Sequence, residues 1–361
     1  MGKTVIAAMS GGVDSSVAAA LLREQGYNVI GITLNVWPNE ETKCAKTCCS
    51  ITDVQDARMV CAKIHIPHYV LNMRDLFRQK VIDYFIHEYM KGRTPNPCIA
   101  CNAYVKFEAL FDRAKALGAD YIATGHYARI LQDEATGEYS LSRSSDSHKD
   151  QTYVLYMLTQ EKLAHILMPC GGYTKPDIRA VAEKYGLPTS QKADSQDLCF
   201  IGEEGYAGFI RENCSALARP GRILTRDGKT LGSHDGVYNF TIGQHKGLGR
   251  YSSDKLYVTD IDAAAGDVYV GSNEKLFCDT MIVEDIHLIR NVSLEEIKGL
   301  KVKIRYSAPE AEASVTQLEN GGYIVKFIKP QRAVTPGQAA VFYRNDEVLG
   351  GGTIAKSLPQ T

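Results

Sequence analysis

Ser10-Gly11-Gly12-Val13-Asp14-Ser15-Ser16 is the stretch whose residue types most plainly suit chemistry. Two glycines let the backbone come close to a ligand, and Ser10, Ser15 and Ser16 add hydroxyl donors. The stretch follows an apolar run, Val5-Ile6-Ala7-Ala8, and opens a helical pattern. A strand turning through glycine into a helix leaves the N–H groups of Val13 to Val17 facing whatever sits over the turn. The spacing therefore predicts an anion site suited to phosphates. It is not a Walker loop, because the fixed glycine spacing and the Gly-Lys-Ser/Thr ending are missing. Asp14 has two readings, a helix cap or an organiser of Mg²⁺ or phosphate.

Thr94-Pro95-Asn96-Pro97-Cys98-Ile99-Ala100-Cys101-Asn102 is the second informative stretch. Two prolines stiffen a loop that delivers a C-x-x-C pair onto the start of a helix, where a thiol gains thiolate character. Cys199 adds a third thiol, in Asp194-Ser195-Gln196-Asp197-Leu198-Cys199-Phe200. Three readings compete for the pair. Half of a structural zinc site would need four ligands. A redox dithiol would sit in a thioredoxin context, which is missing. The third reading is a holder of sulfur or of an iron–sulfur cluster. Cys44, Cys48 and Cys49 fall in a polar stretch, 38–50, that reads as a loop, while Cys61 packs as a small hydrophobe on a helix face.

The elements that must position these groups alternate. β-rich apolar runs at 3–8, 28–34, 66–71 and 120–124 are interleaved with helical periodicity at 14–25, 51–63, 75–90 and 104–117. That alternation predicts a Rossmann-like parallel sheet, with ligands at the carboxyl ends of its strands. Gly125-His126 follows the fourth strand and so shares a rim with the Ser10 turn. A hairpin-like stretch covers 132–143, and helices are expected near 151–165 and 176–185. Beyond about Glu204, short alternating segments are separated by turns such as Asp227-Gly228 and Asn320-Gly321. Strands are expected at 222–225, 255–260, 267–270, 301–305, 313–318, 322–328, 339–343 and 347–354, the pattern of small β-rich domains. The expected division is 1–204, a central β-rich domain at 205–275, and a C-terminal β-barrel at 276–361.

Composition sets the bounds. With 361 residues, 44% hydrophobic and 23% charged, the chain reads as an ordinary globular protein of two or three domains. A net charge of −1 advertises no global attraction to nucleic acid, so any such partner needs local patches. No signal peptide or membrane-spanning run is read, and ten cysteines without a secretory signal lead us to expect a reducing, cytoplasmic setting and no membrane partner.

Taken together, the Ser10 turn, the Pro97–Asn102 loop and the Cys199 segment resemble those of the bacterial tRNA-specific 2-thiouridylases, within the ATP pyrophosphatase superfamily. Asp53-Val54-Gln55-Asp56-Ala57-Arg58, Thr124 to Arg129, Lys149-Asp150-Gln151, Phe240 to Gln244, Lys246 to Gly249 and Thr335 to Tyr343 extend the resemblance over nearly the whole chain. It implies an ATP pyrophosphatase type of α/β domain and ATP-dependent 2-thiolation of the wobble uridine of tRNA. By position, it implies that Ala8, Met9, Ser10, Gly11, Gly12, Val13, Asp14 and Ser15 bind ATP with Mg²⁺, with Leu34 and Gly125 near the adenine. Cys101 becomes the loop thiol and Cys199 the persulfide carrier. Asn96, Pro97, Cys98, Lys149, Asp150, Gln151, Arg305, Tyr306 and Gln338 would contact tRNA, and His126 would meet a flipped uridine.

The implied partners are tRNAs for Lys, Glu and Gln and a cysteine desulfurase or sulfur relay. Part of the family has Asp where this chain has Cys98, and Arg where it has His245. Cys98, Cys101 and Cys199 therefore also match a three-thiol set that holds a [4Fe–4S] cluster in other tRNA-thiolating enzymes. Sulfur could travel as a Cys199 persulfide or as a cluster-bound sulfide. The competing functions are an amide-forming ATP pyrophosphatase, a catalytically silent RNA adaptor and a zinc protein.

Overall fold

Val5 and Ile6 are completely buried because the strand they belong to, β1 (Thr4–Ala8), runs through the middle of a five-stranded sheet. The computed structural model describes residues 2–36, 51–194, 198–214, 219–248 and 255–358. Cys44, Cys48, Cys49, Ser195, Gln196, Asp197, Gly249 and Arg250 lie outside the described residues. The chain divides into two compact units, 1–82 with 97–203 and 346–348, and 83–96 with 204–345 and 349–361.

In the first unit, β1 leads through the Ser10 turn into α1 (Val13–Glu24), then β2 (Asn28–Asn35), α2 (Ile51–Lys63) and β3 (His68–Asn72). α3 (Arg74–Phe77) runs on through a wider, π-helical turn, Arg78–Ile82, and α4 (Asp83–Met90) begins the excursion into the second unit. The chain returns as α5 (Pro97–Ala100), a π-helix over Cys101–Ala109 and α6 (Leu110–Ala116). β4 (Tyr121–Ala123), the hairpin β5 (Ala128–Gln132) and β6 (Tyr139–Arg143), α7 (Gln160–Leu163), β7 (Ile166–Leu167) and α8 (Lys175–Lys184) complete it.

The central sheet is parallel throughout, in the order β3-β2-β1-β4-β7. Chain order reverses between β1 and β4, where Val5 pairs with Val29 on one side and Tyr121 on the other. A crevice opens beyond the carboxyl ends of the strands at such a reversal, and ligands bind there. Val17, Ala19 and Leu22 of α1 pack with Val60 and Cys61 of α2 in the core on the sheet.

The expected helix at 151–165 does not form. A 3₁₀ turn spans Thr152–Val154, and only the four residues of α7, capped by Thr159 accepting from Lys162 N, are helical. Tyr153, Val154, Leu155, Tyr156 and Leu158 are all buried, so the run has no polar face to give water and no helical stripe.

The second unit holds α4 and α9 (Gly205–Asn213), a helix that the β-rich reading after Glu204 did not anticipate. Tyr89 of α4 stacks on Tyr206 of α9, ring centroids 4.9 Å apart. β8 (Gly221–Thr225), β9 (Thr230–His234), β10 (Tyr257–Asp262) and β11 (Asp267–Gly271) form a four-stranded sheet around Ile223, Val258, Val268 and Phe240. The remaining strands are β12 (Phe277–Leu288), β13 (Lys301–Lys303), β14 (Ala311–Gln317), β15 (Tyr323–Arg332), β16 (Ala339–Arg344) and β17 (Glu347–Leu358). They run β12-β15-β14-β13-β16-β17, and β17 pairs back onto β12, closing a six-stranded barrel over Met281, Val325, Phe342 and Ile354. Closure removes the exposed edges that an open sheet would carry. Among the described residues no helix is long and apolar enough to cross a membrane.

Candidate active site

The Ser10 turn sits where β1 ends, at the order reversal of the sheet. Gly11 adopts φ +73°, and a Cβ there would lie 2.3 Å from the Asp53 carbonyl oxygen, so the position excludes every side chain. Hydroxyls tighten the turn from within. Ser15 Oγ accepts from Ser10 N (3.2 Å) and donates to Gly12 O (3.1 Å), while Ser16 Oγ donates to Gly12 O (2.7 Å). Gly12, the N-cap of α1, is extended and has no side chain to cover the first helical turn. Ser16 N donates back to Gly12 O (3.2 Å), the first bond of the helix that follows the turn.

Gly125 closes the other side of the crevice. A Cβ on it would fall 2.6 Å from Asp14 C and Ser15 N, so the exit of β4 and the entry of α1 touch backbone to backbone. His126 is buried, and its Nδ1 lies 2.8 Å from Thr124 Oγ1. Burial, reinforced by Lys106, holds its pKa well below the usual histidine value, so the imidazole is neutral. At the ends of β1 and β2, Thr33 Oγ1 donates to Met9 O (2.8 Å), which makes His68 Nε2 the donor to Thr33 (2.8 Å). Leu34 follows on β2 and pairs with Leu71 of β3.

Asp14 caps nothing. Its carboxylate accepts from the Tyr127 hydroxyl (2.7 Å) and from Lys175 Nζ (2.7 and 2.9 Å). Burial and the Asp14 contact raise the Tyr127 pKa, so the phenol stays a donor. Lys175 also reaches Asp194 (2.8 Å), which Lys149 (2.8 Å) and Arg179 (3.2 Å) hold as well. Burial opposes ionisation of Asp194, but Lys149 and Lys175 outweigh it and keep the carboxyl below its ordinary range. Lys192 makes a parallel tie, to Gly11 O (3.0 Å), Asp53 (2.6 Å) and Asp56 (2.5 Å).

The cysteine pair lies on α5 and its continuation. Pro97 opens the helix, where its missing N–H costs nothing, so exposed Cys98 stands in the first turn and half-buried Cys101 one turn on, at the start of the π-helix. π-helical stretches are rare and frequent at functional sites. Beside Cys101, buried Asn102 donates to Val154 O (3.2 Å), and its Oδ1 is buried without a partner. Cys199 is half-buried in the same unit. Among the described residues no three Cys, His, Asp or Glu side chains gather into a metal-holding group. Cys98, Cys101 and Cys199 therefore do not assemble the cluster cradle that their number suggests. Cys61 is buried and its thiol is pushed up to about 12 by desolvation, as a packing cysteine should be.

The residues implied as tRNA contacts separate into kinds. Asp150 is buried and accepts from Arg143 (3.4 Å), Ser144 N (3.3 Å) and Thr152 (2.7 Å). Gln151 exchanges bonds with the Tyr127 backbone, its Oε1 accepting from Tyr127 N (2.9 Å) and its N donating to Tyr127 O (3.0 Å). Both brace the loop after β4. In the second unit, Arg305 donates to Arg332 O, Tyr306 is exposed with Lys303 Nζ 5.7 Å from its ring, and Gln338 Nε2 donates to Thr94 O (2.8 Å). Asn96 belongs to this unit and Pro97 to the first.

Sequence reasoning passed over Lys175, Tyr127, Lys192 and Thr33. Lys175 follows Thr174 and precedes Pro176, so it reads only as the first residue of a capped helix.

Comparison with known proteins gives a consistent answer. Residues 3–203 match the family model described as the tRNA methyl transferase HUP domain. Residues 208–272 match the tRNA methyl transferase PRC-barrel domain, and 278–354 the aminomethyltransferase beta-barrel domain. The chain is 50% identical over 353 residues to the tRNA-specific 2-thiouridylase MnmA of Pelotomaculum thermopropionicum, covering 97% of this chain and 96% of that protein. It is 50% identical over 355 residues to the protein of that name from Acetivibrio thermocellus (98% and 99% covered). With the Clostridium perfringens protein it shares 49% over 358 residues, 99% of each.

Proposed function

The chain belongs to the tRNA-specific 2-thiouridylase family, and from that premise we propose that it replaces O2 of the wobble uridine of tRNA with sulfur, using ATP. The observation that carries the nucleotide half is the Ser10 turn at the sheet's order reversal, with Gly125 packed against Asp14 and Ser15. In this reading Ala8 to Ser15 hold the phosphates of ATP, supplied with Mg²⁺, and Leu34 and Gly125 flank the adenine. Uracil O2 is a poor leaving group, and adenylation with loss of pyrophosphate converts it into AMP. A persulfide on Cys199 then attacks C2 and AMP departs. The Cys101 thiolate then attacks Cys199 Sγ, so that 2-thiouridine leaves as the sulfur anion and a Cys101–Cys199 disulfide forms, which an external thiol reductant returns to two thiols before the next turnover.

The target base must leave the anticodon stack to reach the crevice, where neutral His126 meets it. Residues 1–204 carry the chemistry. Arg305, Tyr306 and Gln338 in the C-terminal barrel contact tRNA, with Asn96, Pro97, Cys98 and Lys149 nearer the chemistry. The reading takes tRNAs for Lys, Glu and Gln as substrates, a cysteine desulfurase or relay as the sulfur source, and the cytoplasm as the setting.

An anaerobic assay tests this. Metal-free protein is mixed with ATP, Mg²⁺, a sulfur source and unmodified tRNA for Glu, and digests are examined for 2-thiouridine by mass spectrometry. Product is expected from the wild type and from Cys98→Ser. Cys101→Ser and Cys199→Ser should release pyrophosphate in response to tRNA yet form no thiouridine. Product only after iron–sulfur reconstitution would overturn the persulfide route, and no product with no pyrophosphate release would overturn the function itself.

A further inference from the structure

Lys175 joins two segments that the thiolation reading assigns to different steps. Asp14, on the anion turn, receives its ammonium at 2.7 and 2.9 Å, and Asp194, five residues ahead of Cys199, receives it at 2.8 Å. Several features make this a fixed connection rather than a solvated pair. Lys175 is only 8% exposed. Its backbone is set by a capping box between Thr174 and Asp177, and its N–H donates to Asp146 Oδ2 at 3.0 Å. Each carboxylate is also held from another side, Asp14 by Tyr127 and Asp194 by Lys149 and Arg179. Lys192, two residues before Asp194, repeats the connection through Gly11 O, Asp53 and Asp56.

We infer that Lys175 and Asp194 are positioning residues that hold the chain at Asp194, five residues before Cys199, against the Ser10 turn, so that the sulfur-bearing thiol and the adenylated base meet in the correct geometry. The inference rests on the thiolation reading. Adenylation needs the anion turn alone, whereas sulfur transfer needs the turn and Cys199 together. A displacement of about 1 Å between reacting groups costs on the order of 10²-fold in rate. Partly buried ion pairs are poorly screened, so the connection survives at physiological salt. Loosening Asp194 therefore separates the two steps instead of slowing both.

Asp194→Asn keeps the shape and removes the charge. In the full protein, pyrophosphate release at saturating ATP and tRNA should stay within about twofold of wild type, since Asp14 keeps its bonds from Lys175 and Tyr127. Persulfide loading of Cys199, read by intact-mass spectrometry, should persist. The yield of 2-thiouridine per pyrophosphate released should fall by about tenfold or more. Lys175→Met should lower the same ratio, and should also raise the KM for ATP because Asp14 loses its partner. The double variant should have the ratio of Asp194→Asn alone, the mark of residues acting through each other. A wild-type ratio in Asp194→Asn overturns the inference. So does an equal loss of both steps, which describes a merely structural residue. If Asp194→Asn does not fold, the ratio in Lys175→Met decides. Failure of the wild type to make thiouridine counts against the thiolation reading instead, so the two failures are distinguishable.

Discussion

Gly125→Ala adds one methyl where the structure has no room for it. The new Cβ would stand 2.6 Å from Asp14 C and Ser15 N and 2.9 Å from Asp14 O. All three are backbone atoms, so no rotamer change relieves the contact. Ordinary contact begins at 3.4 Å against the 2.6 Å available, a shortfall of about 0.8 Å that the start of α1 and the end of β4 must share. Overpacking of this kind costs roughly 1–3 kcal/mol. In a unit of this size the melting temperature falls by about 2–4 °C for each kcal/mol. The functional cost is larger, because the displaced atoms are those of the anion turn. A shift approaching 1 Å there should lower kcat/KM for ATP by on the order of 10²-fold. The assay is tRNA-dependent pyrophosphate release across a range of ATP concentrations, alongside a thermal melt. Gly172→Ala is the control, since nothing lies within 4 Å of its would-be Cβ, and it should match wild type in both. Wild-type kcat/KM in Gly125→Ala would refute the claim that the β4 exit and the Ser10 turn form one rigid crevice.

Three further predictions concern groups whose roles the structure separates. Cys61 and Cys278 have thiols pushed up to about 12 and about 11 by burial, and burial raises Cys170 as well. Iodoacetamide at pH 8 should therefore label exposed Cys98 in the native protein and spare these three, with peptide mass spectrometry as the readout. Labelling of Cys61 before unfolding would contradict the packing assignment. His126, held below its ordinary 6.5 by burial, should show no imidazole titration near that pH by NMR. Because the unfolded chain takes up this proton first, His126 stabilises the fold fully above pH 6.5, and that contribution is lost as pH falls below it. A titration midpoint near 6.5 would place the ring in water. Asp150→Ala removes a buried acceptor shared by Arg143, Ser144 N and the Thr152 hydroxyl and should cost roughly 3 kcal/mol in urea unfolding, whereas a residue serving tRNA alone would leave the midpoint unchanged.

What the sequence made legible was local. Val5 to Ala8, two glycines and three hydroxyls sit within a dozen residues, and each part of the strand–turn–helix unit constrains the next. The parallel sheet followed from alternation, and its order reversal put Gly125 beside the turn. β12 was illegible for a local reason of its own. Asp285 takes φ 51° and the pairing with β17 shifts register between Glu284 and His287, which breaks the two-residue alternation that marks a strand. Lys175 was illegible because its partner Asp14 is 161 residues away, and a lysine in the first turn of a capped helix carries no sign of where its ammonium goes.

Gln338 shows the same limit from the other side. The resemblance implies a tRNA contact, yet the side-chain amide donates to Thr94 O at 2.8 Å, while Thr94 N donates to Pro336 O at 2.9 Å. Gly337 between them has φ +91°, and a Cβ there would come within 2.9 Å of Thr94 N, so the segment is shaped to the Thr94 backbone. Thr94 stands two residues before Asn96, at the head of the stretch that leads to Cys98 and Cys101. A motif identifies Gln338 as a residue that matters but is silent on the atom through which it acts. A backbone clamp and a base contact differ in one measurement. Gln338→Ala should raise the mobility of the Thr94 amide in hydrogen exchange of the tRNA-free protein, where a residue acting on tRNA alone would leave that amide unchanged.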